Sequence, residues 1–494
     1  MSGLTGEAAS SVIWSMTEKW VLRITGLVTM AILARFLIPE DFGLVAIALS
    51  MVALVQTLAD AGFSTYLQQT DETGARTTST AFWFTAGAGV VFSGLLAVAA
   101  PLVAAVLSTP EITPVIRTMA PAALFVALGA VPVALLRRQL RFRALAVQTA
   151  AAGAVGQAVA IILAISGTGV WALVAQTLVV QFLSTLLAWV SARWYPTRSF
   201  SRQQLGRMLR FGVKVIGVEF VSLGRLWAEQ AVIISVLGTA GLGFYTIAQR
   251  LVMIAQDLTT SALVPVSVTV FARIRESIGR LRSGYLRAQT ISHVLVVPVM
   301  LVLAVGSPWA IPLVFGTQWE PSILPAQVLG VAALFTLGAL DHGLFYSLGR
   351  PGQWLILAVV VEVGTLLATM LAAPFGLTAI TCGYLAVAVL TTGSRWVMVG
   401  RQLQCPWWRV ASPLARCAVP ATVAGGAAYL VSRWTGGLHD AAALACIGLC
   451  IIVVYVPLTR WLLPDTWEEA RGLVAARLST AGSSIPSGRR SPAS

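Results

Sequence analysis

The sequence predicts an all-α polytopic membrane protein of about 14 transmembrane helices, built as two pseudo-symmetric six-helix lobes plus two C-terminal helices. Three observations lead there. The 494 residues are 57% hydrophobic and only 11% charged, with a mean hydropathy of +0.84, whereas a soluble domain carries roughly 25% charged residues. Arginine alternates between one set of connecting segments and the next along the chain. A weak internal repeat recurs at a spacing of 200 residues, Leu37 to Leu237.

A spanning helix needs about 20 apolar residues, so this length accommodates about fourteen spans and no large extramembrane domain. Apolar runs place them at about 12–35, 42–68, 79–107, 115–136, 144–165 and 170–192, then at 211–237, 242–271, 290–313, 324–347, 354–374 and 378–400, and finally at 413–432 and 441–463. The domain expectation follows: an N-terminal lobe over 1–192, an arginine-rich connector over 193–210, a second lobe over 211–400, two further helices over 401–463 and a polar tail over 464–494. The tail, rich in Ser, Gly and Arg, is expected to be disordered beyond about Ser479. The start carries Glu7 and Glu18 and lacks a basic leader region, so no cleavable signal peptide is expected.

Net charge is +14, and Lys19 and Lys214 are the only lysines. One set of loops holds Arg76, then Arg137, Arg138, Arg141 and Arg143, then the runs Arg193–Arg210 and Arg273–Arg287, then Arg350, Arg401 and Arg409. The other set, Ile38–Asp41, Ser108–Thr113, Ser166–Gly169, Gly238–Gly241 and Gly316–Ser322, is nearly free of cations. Short cation-rich loops stay on the cytoplasmic side, which predicts a multi-pass protein of the plasma (inner) membrane with both termini cytoplasmic. The same placement excludes nucleic acid as a partner, since the cations line membrane loops and form no continuous basic face.

The repeat pairs LIPEDFGLVAIALSMV, from Leu37, with LGTAGLGFYTIAQRLV, from Leu237. Leu37/Leu237, Gly43/Gly243, Ile47/Ile247, Ala48/Ala248, Val52/Val252, Gln56/Gln256 and Leu58/Leu258 match without a gap. Six predicted helices separate equivalents, so both halves share one orientation and the repeat is parallel, about an axis along the membrane normal.

Ionisable side chains at membrane depth carry the functional information, because each costs roughly 2.5–3.5 kcal/mol at a helix centre. The seventh span contains Glu219, Arg225 and Glu229. At 100° per residue Lys214, Val218, Ser222, Arg225 and Glu229 share one stripe, which is expected to face a wet cavity or a partner helix. The first span repeats the pattern with Glu18, Lys19 and Arg23, and Arg35 stands at its outer end. Arg23, Arg225, Arg250 and Arg35 are candidates for gripping a diphosphate, since guanidinium binds phosphate oxygens bidentately and never loses its charge. Internal i,i+4 pairing is the competing structural reading, and Asp257, seven residues after Arg250, would serve only as its counter-ion. Asp60, Asp341 and Glu362 have no evident partner and could bind a coupling proton or sodium ion, or act as hydrogen-bonded structural acids. They complete the set of acids with Glu18, Glu219, Glu229 and Asp257.

Catalytic signatures are missing: no P-loop, no HExxH and no GxSxG in a strand–turn–helix setting. His293, His342 and His439 lie far apart, and the five cysteines lack metal-ligand spacing. No cofactor and no enzymatic activity are expected.

Several stretches resemble the polysaccharide transporter family, the Wzx-type oligosaccharide flippases of the multidrug/oligosaccharidyl-lipid/polysaccharide exporter superfamily. They are LARFLIPEDFGLVAIALSMVALVQTLADAGFSTYLQQ (Leu33–Gln69), ALLRRQLRFRALAV (Ala134–Val147), GTGVWALVAQ (Gly167–Gln176), LGTAGLGFYTIAQRL (Leu237–Leu251) and RPGQWLIL (Arg350–Leu357). The lipopolysaccharide and teichuronic acid biosynthesis exporters are the most similar in pattern. The resemblance implies an arginine-lined cavity, alternating access and translocation of undecaprenyl-pyrophosphate-linked oligosaccharide. Its partners would be the lipid-linked oligosaccharide and membrane lipids, with polysaccharide polymerase and glycosyltransferases as neighbours in the same process. Where the family commonly has an aspartate before the seventh-span turn, this chain has Glu229. A cation-coupled multidrug-type antiporter of the same superfamily would favour acids over arginines. A membrane polysaccharide polymerase or ligase would need a sizeable outer loop, and the longest here is about ten residues, Val314–Ile323.

Overall fold

The computed structural model describes residues 25–70, 74–260, 271, 274, 276–336, 339–435 and 439–464. Among the described residues the regular elements are helical. In chain order they are α1 (Thr25–Phe36), α2 (Pro39–Asp60), α3 (Phe63–Gln69), α4 (Ala75–Val106), α5 (Ile112–Arg138), α6 (Phe142–Ile165), α7 (Trp171–Ala192), α8 (Arg202–Thr260), α9 (Ile278–Phe315), α10 (Ile323–Phe335), α11 (Ala339–Ser347), α12 (Pro351–Ala372), α13 (Leu377–Gln402), α14 (Trp407–Trp434) and α15 (Asp440–Leu462). Twelve helical stretches among the described residues are long and apolar enough to cross a membrane. One of them is two arms in sequence, and α1 adds the described part of the first expected span. The expected count of 14 is reached only by counting α1 and both arms.

The two arms belong to α8. Helical geometry breaks at the single residue Gly238 (φ 73°, ψ 179°), a left-handed φ that glycine adopts without steric cost. The Tyr245 hydroxyl nevertheless donates to Glu229 Oε1 at 2.7 Å. Sixteen residues of straight helix would hold those positions about 24 Å apart, so the arms fold back beside each other. The expected turn Gly238–Gly241 thus shrinks to one residue.

Helix α2 shows how the local sequence sets an end. Pro39 occupies its first turn with Glu40 and Asp41, and the Ile38 N–H donates to the Asp41 carboxylate at 3.3 Å, the arrangement that a helix N-terminus favours. At three of the prolines inside other helices, side chains satisfy the carbonyls they orphan. Pro132 cannot bond the Leu128 carbonyl, which accepts from the Trp189 indole at 3.1 Å. Pro101 releases the Ala97 carbonyl to Arg117 Nε at 3.2 Å, and Pro413 releases that of Arg409 to the Ser412 hydroxyl at 2.7 Å.

The chain divides into two compact units. Unit one comprises the described part of Met1–Ile254 with Ala310–Leu329 and Leu355–Thr391; unit two comprises Ala255–Trp309, Gly330–Trp354 and the described part of Thr392–Ser494. A core cluster of unit one gathers Phe63, Leu67, Phe82, Val131 and Leu135 from α3, α4 and α5. In unit two, α14 and α15 pack on α9 through Cys417, Ile447, Ile451, Tyr455, Val294 and Val297. The last two helices therefore have a built seat on the chain, although hydropathy alone assigned them. The expected span 324–347 lies within one stretch, Thr317–Ser347, long and apolar enough to cross a membrane, in which α10 ends at Phe335 and α11 begins at Ala339.

Candidate functional site

Repeat equivalents meet in unit one. A Cβ on Gly43 would run into the Thr239 carbonyl, and a Cβ on Gly243 would run into that of Pro39. Pro39 and Thr239, like Gly43 and Gly243, are 200 residues apart, so the two contacts are images of each other under a local two-fold axis between α2 and the second arm of α8. Only glycine lets the two backbones approach this closely. Trp319, fully buried, closes the same end: its indole donates to the Ala34 carbonyl at 2.8 Å, and its ring meets those of Phe42 and Phe244 edge-on at 5.0 and 5.9 Å. The Gln318 amide donates to the carbonyls of Ala34 and Leu37, and the Ser322 hydroxyl to that of Phe244 at 3.0 Å. Asp41 also bonds the Val170 backbone. Four of the cation-poor connections thus converge at one sealed end. At the arginine-rich end, Arg138 binds the Leu67 and Thr70 carbonyls, and Arg141 that of Ser191 at 2.8 Å.

The polar stripe of the seventh span meets a partner helix. Arg225 pairs with Glu229 one turn ahead and with Glu362 of α12, and the Ser222 hydroxyl donates to Glu362 Oε1 at 3.1 Å. Tyr245 donates to the other Glu229 oxygen and in turn accepts from the Gln249 amide at 3.1 Å. One guanidinium thus holds two carboxylates, and with both acids ionised the cluster carries one excess negative charge. Glu229 is 1% exposed, against 20% for Arg225 and 22% for Glu362, so the cluster is dry on one flank and reachable on the other. Glu362, which the sequence leaves without a partner, is a ligand of the arginine.

Unit two holds a second buried pair. Asp341, fully buried at the start of α11, accepts the Tyr285 hydroxyl and faces Arg395 Nε of α13 at 3.2 Å. Arg395 Nη2 also donates to the Phe335 carbonyl at 3.0 Å, which accepts Thr392 Oγ1 at 2.8 Å as well. Arg395 therefore ties the end of α10 to the start of α11. His342 does not join it; its ring packs on Tyr346 and Trp354.

Other expected site residues scatter. Arg35 is exposed and donates to the Leu313 carbonyl at 2.5 Å. Arg250 is exposed on the second arm of α8, and Asp60 accepts from the Ser64 hydroxyl at the far end of α2. Glu18, Lys19 and Arg23 lie outside the described residues, as do the side chains of Lys214, Glu219 and Asp257. Sequence reasoning missed Arg395, the one charge inside the expected span 378–400, a position that signals a buried partner. It also missed Trp319, read as part of an outer loop.

A family model described as "Polysaccharide biosynthesis protein" matches residues 32–324. The succinoglycan biosynthesis transport protein ExoT of Rhizobium meliloti is 30% identical over 66% of this chain and 65% of its own, so the match spans just under two thirds of that relative. The lipopolysaccharide biosynthesis protein WzxC of Escherichia coli is 25% identical over 79% of this chain and 80% of its own. The teichuronic acid biosynthesis protein TuaB of Bacillus subtilis is 23% identical over 68% and 70%. Among solved structures, the lipid II flippase MurJ in an inward closed conformation superposes with a TM-score of 0.75 over 91% of this chain and 99% of its own, at 12% identity. An inward-facing multidrug transporter of the MATE family gives 0.60 over 80% and 99%, at 15% identity. The fold is that of these transporters.

Proposed function

The chain belongs to the polysaccharide biosynthesis protein family, and on that premise we propose that it is a flippase, carrying an undecaprenyl-pyrophosphate-linked oligosaccharide from the cytoplasmic to the outer leaflet of the plasma membrane by alternating access. The observation that carries the reading is the asymmetry of unit one, which is sealed by Gly43, Gly243 and Trp319 at its arginine-poor end and hollow at its arginine-rich end. A carrier of this kind closes one side while the other admits cargo. The arginine-rich end is assigned to the cytoplasm, together with both termini. The repeat supports two lobes, 1–192 and 211–400, joined by 193–210, with 401–463 added to them. Relatives named for succinoglycan, lipopolysaccharide and teichuronic acid biosynthesis support a saccharide cargo. An apolar cavity of about 470 Å³, lined by Val297, Leu334, Phe335, Trp396 and α14, offers the chemistry of a polyprenyl chain.

The charged residues divide the work. Arg225, with Arg23, Arg250 and Arg35, is assigned to the diphosphate. Glu229 and Glu362 compete with phosphate for the Arg225 guanidinium, so a proton or sodium ion on either acid frees it for cargo. Asp60, Asp341, Glu18, Glu219 and Asp257 stay as further coupling or counter-ion acids, and no enzymatic step is assigned to the chain. The test is phenotype: cells lacking the protein should accumulate lipid-linked oligosaccharide on the cytoplasmic leaflet while its synthesis continues. Normal arrival of the precursor at the outer leaflet, left unpolymerised, would point to a polymerase or ligase instead.

A further inference from the structure

Near the arginine-rich end of unit one, α2, α3, α5 and α7 line an open-sided cavity of about 420 Å³, within the size range of small-ligand sites. Gln56 and Asp60 reach it from α2, Ser64 and Gln68 from α3, and Gln181 and Ser184 from α7. Each pair is three or four residues apart, so each helix turns one polar stripe inward. The facing wall of α5 is apolar, with Val126 and Val133 beside the small residues Ala127, Gly129, Ala130 and Ala134, and Arg137 at its end. Gly129 lets α5 approach α7 until a Cβ there would lie 3.0 Å from Thr185 Oγ1. Small and apolar residues of α5 opposite amides and hydroxyls leave a two-faced hole, polar on the α2, α3 and α7 side, where a membrane bundle would otherwise be packed.

The hydrogen bonding of that hole is incomplete. Asp60 accepts from the Ser64 hydroxyl at 2.5 Å, and the Gln68 amide donates to the Ser64 carbonyl at 3.0 Å. Gln56, Gln181 and Ser184 are half-buried and make no hydrogen bond to another described residue. Polar groups inside a membrane bundle cost free energy unless water or a ligand takes up their bonds. Three such side chains around one cavity point to something that fills it.

We propose that this cavity is a saccharide subsite, taking the hydroxyl groups of the sugar part of the cargo; the assignment rests on the flippase reading above. Side-chain amides present a donor and an acceptor side by side, and Ser hydroxyls act both ways, which suits neighbouring hydroxyls on a sugar ring. A carboxylate such as Asp60 accepts two of them. The diphosphate does not belong here: Asp60 repels it, and the one lining cation, Arg137, stands exposed at the rim. A coupling proton or sodium ion on Asp60 would occupy one corner of the cavity beside Ser64 and leave the amides of Gln56, Gln68 and Gln181 for the sugar. Diphosphate and sugar would then be read in different places, the first by arginine and the second by amides.

The test uses the full-length protein in lipid nanodiscs and two probes: undecaprenyl pyrophosphate, and the glycosylated lipid extracted from cells that lack the protein. The wild type is expected to bind the glycolipid more tightly. Gln181→Ala/Ser184→Ala should weaken glycolipid binding on the order of tenfold, as two lost hydrogen bonds would, and leave the bare lipid unchanged. Ala130→Leu, which fills the hole without removing a polar group, should have the same effect. Unchanged bare-lipid binding reports that both variants fold. Equal loss for both lipids, or no loss in either variant, overturns the subsite. A wild type that binds both lipids alike also overturns it while leaving the flippase reading standing. A wild type that binds neither removes the flippase reading itself. Sodium- or proton-dependent stabilisation that Asp60→Asn abolishes, with sugar discrimination intact in both variants, would make the cavity a cation site instead of a sugar site.

Discussion

Replacing Arg225 by glutamine removes the one cation from a cluster of two acids. The cost can be worked from exposure. Glu229 is 1% exposed and, among the described residues, keeps only the Tyr245 hydroxyl as a donor, and breaking a buried pair costs about 3–5 kcal/mol because the abandoned charge stays buried. Glu362, at 22% exposed and supported by Ser222, reaches water and adds no more than about 1 kcal/mol. A loss of about 3–6 kcal/mol lowers the melting temperature by roughly 3–6 °C in a chain of 494 residues, at about 2.1 cal/mol/K of unfolding entropy per residue. Thermal unfolding of the detergent-solubilised protein, followed by size-exclusion chromatography, reads this directly. Adding Glu229→Gln should restore most of the loss, since a neutral amide oxygen still accepts from Tyr245. Transport separates the two roles of the arginine. If Arg225 grips the diphosphate, the double variant is well expressed and transport-dead, and Arg225→Lys is partly defective for want of the bidentate fork. A melting temperature unchanged in Arg225→Gln would refute the ion cluster. Full transport by the double variant would reduce Arg225 to a counter-ion and move the diphosphate site elsewhere.

Gly43→Ala and Gly243→Ala each push a methyl group into a carbonyl of the opposing helix, so both should destabilise by about 1–3 kcal/mol and by similar amounts in thermal melts. Tolerance of one alone would break the local two-fold relation. Trp319→Ala should cost about 3–5 kcal/mol and open the sealed end, so that a cysteine replacing the buried Leu37 becomes reactive; continued protection would deny Trp319 that role. Cysteines at Arg198 and Ser283 should label only from the cytoplasm and one at Glu111 only from outside, and labelling of Ser283 from outside would overturn the topology.

Much of the architecture was legible because it rests on local chemistry. The spans followed from apolar runs and the turn at Gly238 from its glycines; the repeat paired Gly43 with Gly243, but their close approach to the opposing helix came only with the structure. The stripe Ser222–Arg225–Glu229 was legible as a face, and its choice between cavity and partner helix was not. Glu362 looked unpartnered because its cation lies 137 residues earlier (362 − 225). Asp341 looked the same because its cation, Arg395, lies 54 residues later (395 − 341) on another helix and was missed. The saccharide cavity left only a faint trace, polar residues one turn apart on three helices, and nothing in the chain order says that those helices meet.

By itself, the sequence determined that the chain lives in a membrane, roughly how often it crosses, that the segments from Leu37 and Leu237 match, and which helices carry charge. Those properties are sums over contiguous residues, since each segment's transfer from water to hydrocarbon depends on its own side chains. Only the tertiary structure decided that Arg225 holds two acids, that Arg395 ties α10 to α11 and that one end of unit one is sealed. Each of these depends on the rotation and register of helices distant in the chain. The glycine contacts and the Trp319 seal set that register through backbone approaches of a few ångströms, a distance hydropathy does not encode.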